Sequence, residues 1–420
     1  MRILIRAGIS LMITVLLGIQ VVPAQVVVNL KEALVMAKKS NPDLKTSYYN
    51  IGMASADLIT AKLHPNPVFN MQLLGIFNQS TRLNEKSVVN PLNTQTWYQV
   101  TKPFIWQGRR MNFINYTSQL VRQANLDYEE TSRQVFFTVA NQWLTVWQAK
   151  INLDLLNKAK TTIDSLVIIN EIRYKDKDIS STELMRAQLL QEQYTRDIVN
   201  GLQVYRNEII NLKYLLGTVD SLVIDLNDQT FNSIITAGDS LVQLGLNNRS
   251  DVLAVKNAIQ VSDINIKLQR SLGYPVPEMG VIWNPQNTLH YFGFYGTLAI
   301  PLFNRNQGER QKSEVDKLQN EQAYDAIQKQ IETEVSTSYQ SYFVQKQNIK
   351  LYELNLRMAE NILQNVRYSY LKGGTTIIDF LEAQRSWLDT QQQYYNALLD
   401  FRRSYVQLLY STGLINQIAE

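Results

Sequence analysis

The chain has 420 residues, with 41 lysines and arginines against 37 aspartates and glutamates, a formal net charge of +4, and no cysteine. So small an excess of positive charge gives no nucleic-acid footprint. The lack of cysteine excludes disulfides, thiolate metal sites and lipid attachment through an N-terminal Cys.

Arg2 and Arg6, an apolar run from Ile9 to Val22 and the small end Pro23-Ala24 read as a secretory signal peptide over residues 1–24. The run falls short of the ~20 apolar residues of a spanning helix. No later segment has the hydropathy of one. A mature chain that spans a membrane must therefore use strands, because only helices and closed barrels satisfy their backbone in lipid.

Asn29 to Leu63 has helical periodicity, with Leu30, Ala33, Leu34 and Ala37 before an Asn41-Pro42 interruption and Leu44, Tyr48, Ile51, Ala54 and Leu58 after it. Pro65 and Pro67 end it. Val68 to Leu74 and Thr96 to Phe104 are predicted strands, joined by a long polar loop from Asn78 to Asn93. Arg109 to Asn200 is then free of Gly and Pro, with a polar break at Tyr174-Lys175-Asp176-Lys177-Asp178. This is a long helical hairpin.

Thr218 to Asn247 has shorter periodicity and reads as a small mixed segment. Asp251 to Ser271 repeats the first helix. Met279, Val281 and Trp283 line one face of a strand, Asn284-Pro285-Gln286-Asn287 supplies a turn, and Tyr291 to Ile300 returns. On the return, Phe292, Phe294, Leu298 and Ile300 share one face, and Tyr291, Gly293, Tyr295, Thr297 and Ala299 the other. Glu309 to Lys372 again lacks Gly and Pro, on the order of 90 Å if helical throughout. Its seam of Val335, Tyr339, Tyr342, Ile349, Leu356 and Leu363 suits helix packing. After the Lys372-Gly373-Gly374-Thr375 break, Ile377 to Leu409 returns as a second helix.

The two halves correspond. Gly108 matches Gly308, Ala187-Gln188 matches Ala383-Gln384, Gly217 matches Gly413, and Asn66-Pro67 matches Val276-Pro277. The expected organisation is a first repeat over 25–217 (strand hairpin 66–105, helical hairpin 108–217), a mixed segment over 218–247, and a second repeat over 248–420 (strand hairpin 276–303, helical hairpin 308–413). Trp97, Tyr98, Phe104, Trp106, Trp283, Tyr291 and Phe303 cluster near the predicted strand ends, where interfacial girdles sit in membrane barrels. Four strands cannot close a spanning barrel, so the barrel must be shared between chains. The fold class is mainly α with a membrane β-barrel.

These residues resemble the TolC-like outer-membrane efflux proteins, particularly the branch serving heavy-metal resistance-nodulation-division pumps. The marks are Asn41-Pro42-Asp43-Leu44, Asn66-Pro67, Gly108 and Gly308 opening the long helices, and the run Gly373-Gly374-Thr375-Thr376-Ile377-Ile378-Asp379-Phe380-Leu381-Glu382-Ala383-Gln384, in this order and in duplicate. The resemblance implies a homotrimer whose chains each give four strands to one twelve-stranded outer-membrane barrel, continued by a long periplasmic α-helical barrel. Its tip would dock on a periplasmic adaptor protein linked to an inner-membrane pump, through Lys175, Asp176, Lys177, Asp178, Lys372, Gly373, Gly374 and Thr375. The implied role is a passive, gated exit duct of a tripartite efflux pump. By the same resemblance, Asp379 and Glu382 ring the closed tip, and Tyr370 bonds across the helices to an acidic partner matched by Glu183, after Thr182. Thr375 stands where the family often has an arginine, so the closed state here is expected to be weaker or held differently. Without the resemblance, Asp379 reads as a cap of the returning helix and Glu183 as a first-turn acid.

Other readings are an enzyme and a periplasmic coiled-coil adaptor or scaffold. His64 and His290 lie far apart, and no nucleophile, HExxH or phosphate-loop pattern occurs, so no catalytic residues, metal site or cofactor are expected. An adaptor would explain the helical hairpins but not the aromatic-rich strands. The transported substrate, metal ion or drug, stays open.

Overall fold

The computed structural model describes residues 26–82, 90, 92–106, 108–228, 230–231, 238–286 and 289–419. The expected signal peptide lies outside these residues, as does much of the loop expected over 78–93. The chain divides into two units, one comprising the residues up to Lys45 with Thr131–Gly245 and Glu332–Glu420, the other Thr46–Glu130 with Leu246–Ile331.

The first unit opens with a short strand, β1 (Val26–Val28), in parallel pairing with β4 (Leu222–Ile224). Neither strand was expected, because three residues carry too little alternation to read. Helix α1 (Leu30–Ser40) begins on a capping box between Asn29 and Glu32, and α2 (Pro42–Lys62) follows after one residue. That residue, Asn41, explains the Asn-Pro-Asp-Leu run. Its Oδ1 accepts from the backbone N–H of Asp43 (2.9 Å) and Leu44 (3.1 Å), while its Nδ2 donates to the carbonyl of Leu215 (2.8 Å). Pro42 sits at the first helical position, where its missing N–H costs nothing.

Long helices α3 (Arg109–Lys175) and α4 (Ser181–Leu216) form one hairpin, α7 (Gln307–Leu371) and α8 (Ile377–Ser411) the other. Within the first unit their apolar stripes bury Trp143, Trp147, Ile163, Leu190, Phe380 and Trp387. The indoles are satisfied as burial demands: Trp143 Nε1 donates to the carbonyl of Val28 (3.1 Å) and Trp147 Nε1 to that of Leu226 (3.4 Å). Arg402 lies over the rings of Trp147 (4.3 Å) and Phe231 (4.8 Å). A short α5 (Gly238–Asn248) and a final turn, α9 (Ile415–Ile418), complete the helices of this part of the chain.

The second unit holds a four-stranded antiparallel sheet in the order β2 (Val68–Gly75), β3 (Thr94–Pro103), β5 (Pro277–Gln286), β6 (Leu289–Leu298). Its helices, which include α6 (Ser250–Leu272), are joined by polar contacts such as Lys317 with Asp263 (2.9 Å) and Asn320 Nδ2 to Ser262 Oγ (2.8 Å), beside buried apolar residues such as Val252 and Leu268.

Two expectations are corrected here. Asn284-Pro285-Gln286 is strand, not turn: Pro285 pairs with His290 and Gln286 with Leu289. The β3–β5 ladder ends at Tyr98 and Trp283, so Pro285 needs no N–H toward β3 and is tolerated as on an edge. Gly308 does not open the second long helix but lies inside it. The left-handed residue before α7 is Asn306 (φ 61), which corresponds to Gly108 (φ 69) before α3.

Candidate functional site: the sheet and the hairpin tips

Residues directly opposite in an antiparallel ladder project to the same face, so the register assigns both faces of the sheet. One face carries Phe69, Met71 and Leu73, then Thr96, Tyr98, Val100 and, at the strand end, Lys102, then Met279, Val281 and Trp283, then Phe292, Phe294 and Leu298. Most of these side chains stand exposed, Phe292 at 72% and Phe294 at 92%, while Tyr98 is half-buried. The other face carries Asn70 and Gln72, then Gln95, Trp97 and Gln99, then Gly280, Ile282 and Asn284, then Tyr291, Gly293 and Tyr295. The alternation expected for the second hairpin therefore runs across all four strands.

The expected aromatic girdle divides. Tyr98 and Trp283 stack on the apolar face with ring centroids 5.3 Å apart. Trp97 and Tyr291 lie on the polar face, because one residue along a strand reverses the side. All four lie within strands, since β3 starts and β5 ends further out than expected. Phe104, Trp106 and Phe303 do lie beyond the strand ends, and Trp106 Nε1 donates to the carbonyl of Pro275 (2.6 Å). The Phe104 N–H donates to the carbonyl of Pro277, and from Pro277 to Trp283 is about 20 Å along the strand. Two aromatic bands result.

The hairpin tips, in the first unit, share one construction. α3 ends with Lys177 left-handed (φ 65), the Asp178 N–H donating to the Arg173 carbonyl (2.8 Å) and that of Lys177 to Tyr174 (3.0 Å). α7 ends with Gly373 left-handed (φ 77), the Gly374 N–H donating to Ser369 (2.9 Å) and that of Gly373 to Tyr370 (3.1 Å). Both are Schellman closures. Three residues on, a capping box opens each returning helix: Ser180 with Glu183, and Thr376 with Asp379. The turn residues Lys175, Asp176, Lys177, Asp178, Lys372, Gly373 and Gly374 are exposed, as is Thr182, and Thr375 is half-buried.

Glu183 and Asp379 thus hold the same place, and both work locally. Glu183 Oε2 accepts from Ser180 N (2.8 Å) and Oγ (2.9 Å), and those bonds, with Arg173 and Arg186 nearby, hold its carboxyl below the usual range. Asp379 Oδ2 accepts from Thr375 Oγ1 (2.6 Å), Thr376 Oγ1 (2.7 Å) and Thr376 N (3.1 Å), which lower its pKa in the same way. Thr375, in the position expected for an arginine, is therefore part of this cap. Glu382 is exposed and lies outside the box, beside a cavity of about 250 Å³ that Arg186 and Arg385 also line.

Tyr370 does not pair with Glu183 in this structure. Its hydroxyl is buried and donates to Asn170 Oδ1 (2.7 Å), while the Arg173 guanidinium lies 5.2 Å from its ring centroid. Burial raises its pKa against the opposing influences of Arg173 and Asn170. Asn170 and Arg173 are the site residues that sequence reasoning missed. Asn170 is fully buried one turn beyond Leu166 and Val167, a polar residue on an apolar stripe.

Residues 241–414 match the family model described as outer membrane efflux protein. This is the family that the motifs resemble. A comparison with curated proteins gives no match. Among solved structures, the fold is similar to that of a membrane protein from Pseudomonas aeruginosa (TM-score 0.74, 16% identity, 91% of this chain and 93% of that one). It is similar to CusC, described in terms of folding and transmembrane channel formation (TM-score 0.73, 18% identity, 91% and 92%). It is also similar to the CmeC outer membrane channel of Campylobacter jejuni (TM-score 0.73, 16% identity, 91% and 85%). At these identities the likeness is one of fold.

Proposed function

We propose that this protein is the outer-membrane channel of a tripartite efflux pump and has no enzymatic activity of its own. The observation that carries the reading is the sheet: one face exposed and apolar, the other polar, with both edge strands, β2 and β6, open. Among the described residues no helix is long and apolar enough to cross a membrane. Lipid suits the apolar face, but open edges do not survive in hydrocarbon. Because strand direction alternates through β2-β3-β5-β6, β6 of one copy can pair antiparallel with β2 of the next. Three copies would close twelve strands.

The helical hairpins would then form a periplasmic barrel whose tips meet an adaptor, with an inner-membrane pump of the resistance-nodulation-division class supplying energy. The left-handed positions support a duplicated chain. Lys177 and Gly373 are 196 apart (373 − 177), as are Gly217 and Gly413 (413 − 217), and Gly108 and Asn306 are 198 apart (306 − 108). At the tip, Glu382, with Asp379 one turn before it, would ring the threefold axis. The Tyr370–Asn170 bond and Arg173 would hold each hairpin inward.

The test is extraction and assembly. Full-length protein should require detergent to leave the outer-membrane fraction, and should run as a heat-modifiable species whose mass is that of a trimer. A detergent-free periplasmic monomer would reject the reading in favour of an adaptor or scaffold.

A further inference from the structure

The polar face of the sheet has a chemistry that the family does not dictate. Rows run across the strands by register: Gln72 faces Trp97, Asn284 faces Tyr291, and Asn70, Gln99, Ile282 and Gly293 form the next row. The amides of Asn70, Gln72, Gln95, Gln99 and Asn284 share the face with the rings of Trp97, Tyr291 and Tyr295 and with the apolar Val68, Leu74 and Ile282. Glu278 is its only charged residue among those described. A concavity of about 450 Å³ opens there, lined by Asn70, Gln72, Gln95, Trp97, Gln99 and Tyr295 among others. That volume lies within the range of small-molecule sites. Beside Trp97 on the same face, Asn284 is 5% exposed, and its Oδ1 has no hydrogen-bond partner among the described residues.

Such a surface is poorly made for cations. No group of three or more His, Cys, Asp or Glu able to hold a metal occurs among the described residues. A side-chain amide offers a donor and an acceptor on one planar group, which matches neighbouring hydroxyls. Flat rings on the same surface offer apolar contact to the C–H face of a sugar ring. Charged solutes would give up hydration here with no opposite charge beyond Glu278 to replace it.

We infer that the polar face of this sheet binds hydroxyl-rich, uncharged organic molecules, with Trp97 and Tyr295 as stacking platforms and Gln72, Gln95 and Gln99 as hydroxyl partners. The inference rests on the channel reading for its setting, since it takes this face to line the lumen. It names a substrate class for the duct: saccharide-like solutes in preference to metal ions.

Calorimetry on full-length, detergent-purified protein tests it without needing an open pore, with maltotetraose as one probe and zinc sulfate as the other. Wild type should bind maltotetraose. Trp97→Ala should weaken that binding roughly tenfold, the equivalent of one lost stacking contact. Trp106→Ala, beyond the strand end, should leave it unchanged. Gln99→Leu provides a second variant should Trp97→Ala fail to assemble, as judged by heat-modifiable migration. No saccharide binding, or binding that neither variant alters, overturns the inference. So does zinc binding that Glu278→Gln abolishes. If wild type proves to be a trimer in the outer membrane but binds no saccharide, the channel reading stands and this inference alone fails.

Discussion

Tyr370 and Asn170 make a neutral, buried bond between two hairpins, with Arg173 lying against the ring. Tyr370→Phe removes the donor and leaves the amide oxygen of Asn170 unpaired in a dry place, a loss of roughly 1–3 kcal/mol. Asn170→Leu in turn leaves the buried Tyr370 hydroxyl unpaired and should cost a similar amount, whereas the double change Tyr370→Phe with Asn170→Leu removes both partners and should cost less than either alone. If this bond helps close a gate, Tyr370→Phe should raise single-channel conductance in planar bilayers, and unchanged conductance in assembled trimers would remove the residue from the gate. The capping acids behave differently. Glu183 and Asp379 have folded pKa values below their ordinary 4.5 and 3.8. The stability they give is present above those values and is lost as pH falls through the lowered ones. Protection against hydrogen exchange at the starts of α4 and α8, taken relative to the intrinsic exchange rate at each pH, should therefore fall below about pH 4. Asp379→Asn should remove that dependence from α8 and leave it in α4, where Arg173 and Arg186 also favour the ionised acid. If both helix starts lose the dependence together, the caps do not act locally.

The helices were legible because their signals are local: a capping box, a Gly-free and Pro-free run, a left-handed stop. The Asn41-Pro42 junction, both long hairpins and their breaks fell where such signals put them. What was not legible depends on partners far along the chain. Pro285 reads as a turn until the end of the β3–β5 ladder shows that its N–H is not needed. Gly308 reads as a helix opener until Asn306 is seen to take the left-handed place, anchored by its Nδ2 on the carbonyl of Gln269 (2.9 Å). Asn170 could be paired with Tyr370 only once two stretches 200 residues apart were seen together. The stops make a ranked prediction. Gly217 is left-handed, and a Cβ there would lie 2.2 Å from the Ser40 carbonyl oxygen. Gly373 is left-handed with open space around it. Gly373→Ala should cost roughly 1–3 kcal/mol from backbone conformation alone. Gly217→Ala should cost more, and Lys177→Gly should not destabilise. Melting of the purified protein followed by circular dichroism gives the order directly, and an inverted order would deny that these positions are matched stops.

For the whole molecule, the deciding physics is that a single chain leaves its sheet unfinished. The apolar face would aggregate in water, and β2 and β6 would each present unpaired backbone groups. On the proposed channel reading, closure with other copies in lipid would resolve both at once. On the same reading, Leu289, the first residue of β6, should lie outside the cell and the Lys177 and Gly373 turns in the periplasm. The absence of native cysteine makes this directly measurable, because any introduced thiol reports alone. Leu289 is 61% exposed at the start of β6, and Lys177 is exposed in its turn. In intact cells, Leu289→Cys should react with a membrane-impermeant maleimide, and Lys177→Cys should react only after the outer membrane is permeabilised. Equal reactivity of both in intact cells would deny that a membrane separates them. Reaction of Lys177→Cys alone would invert the topology, and with it the assignment of the tips to the adaptor.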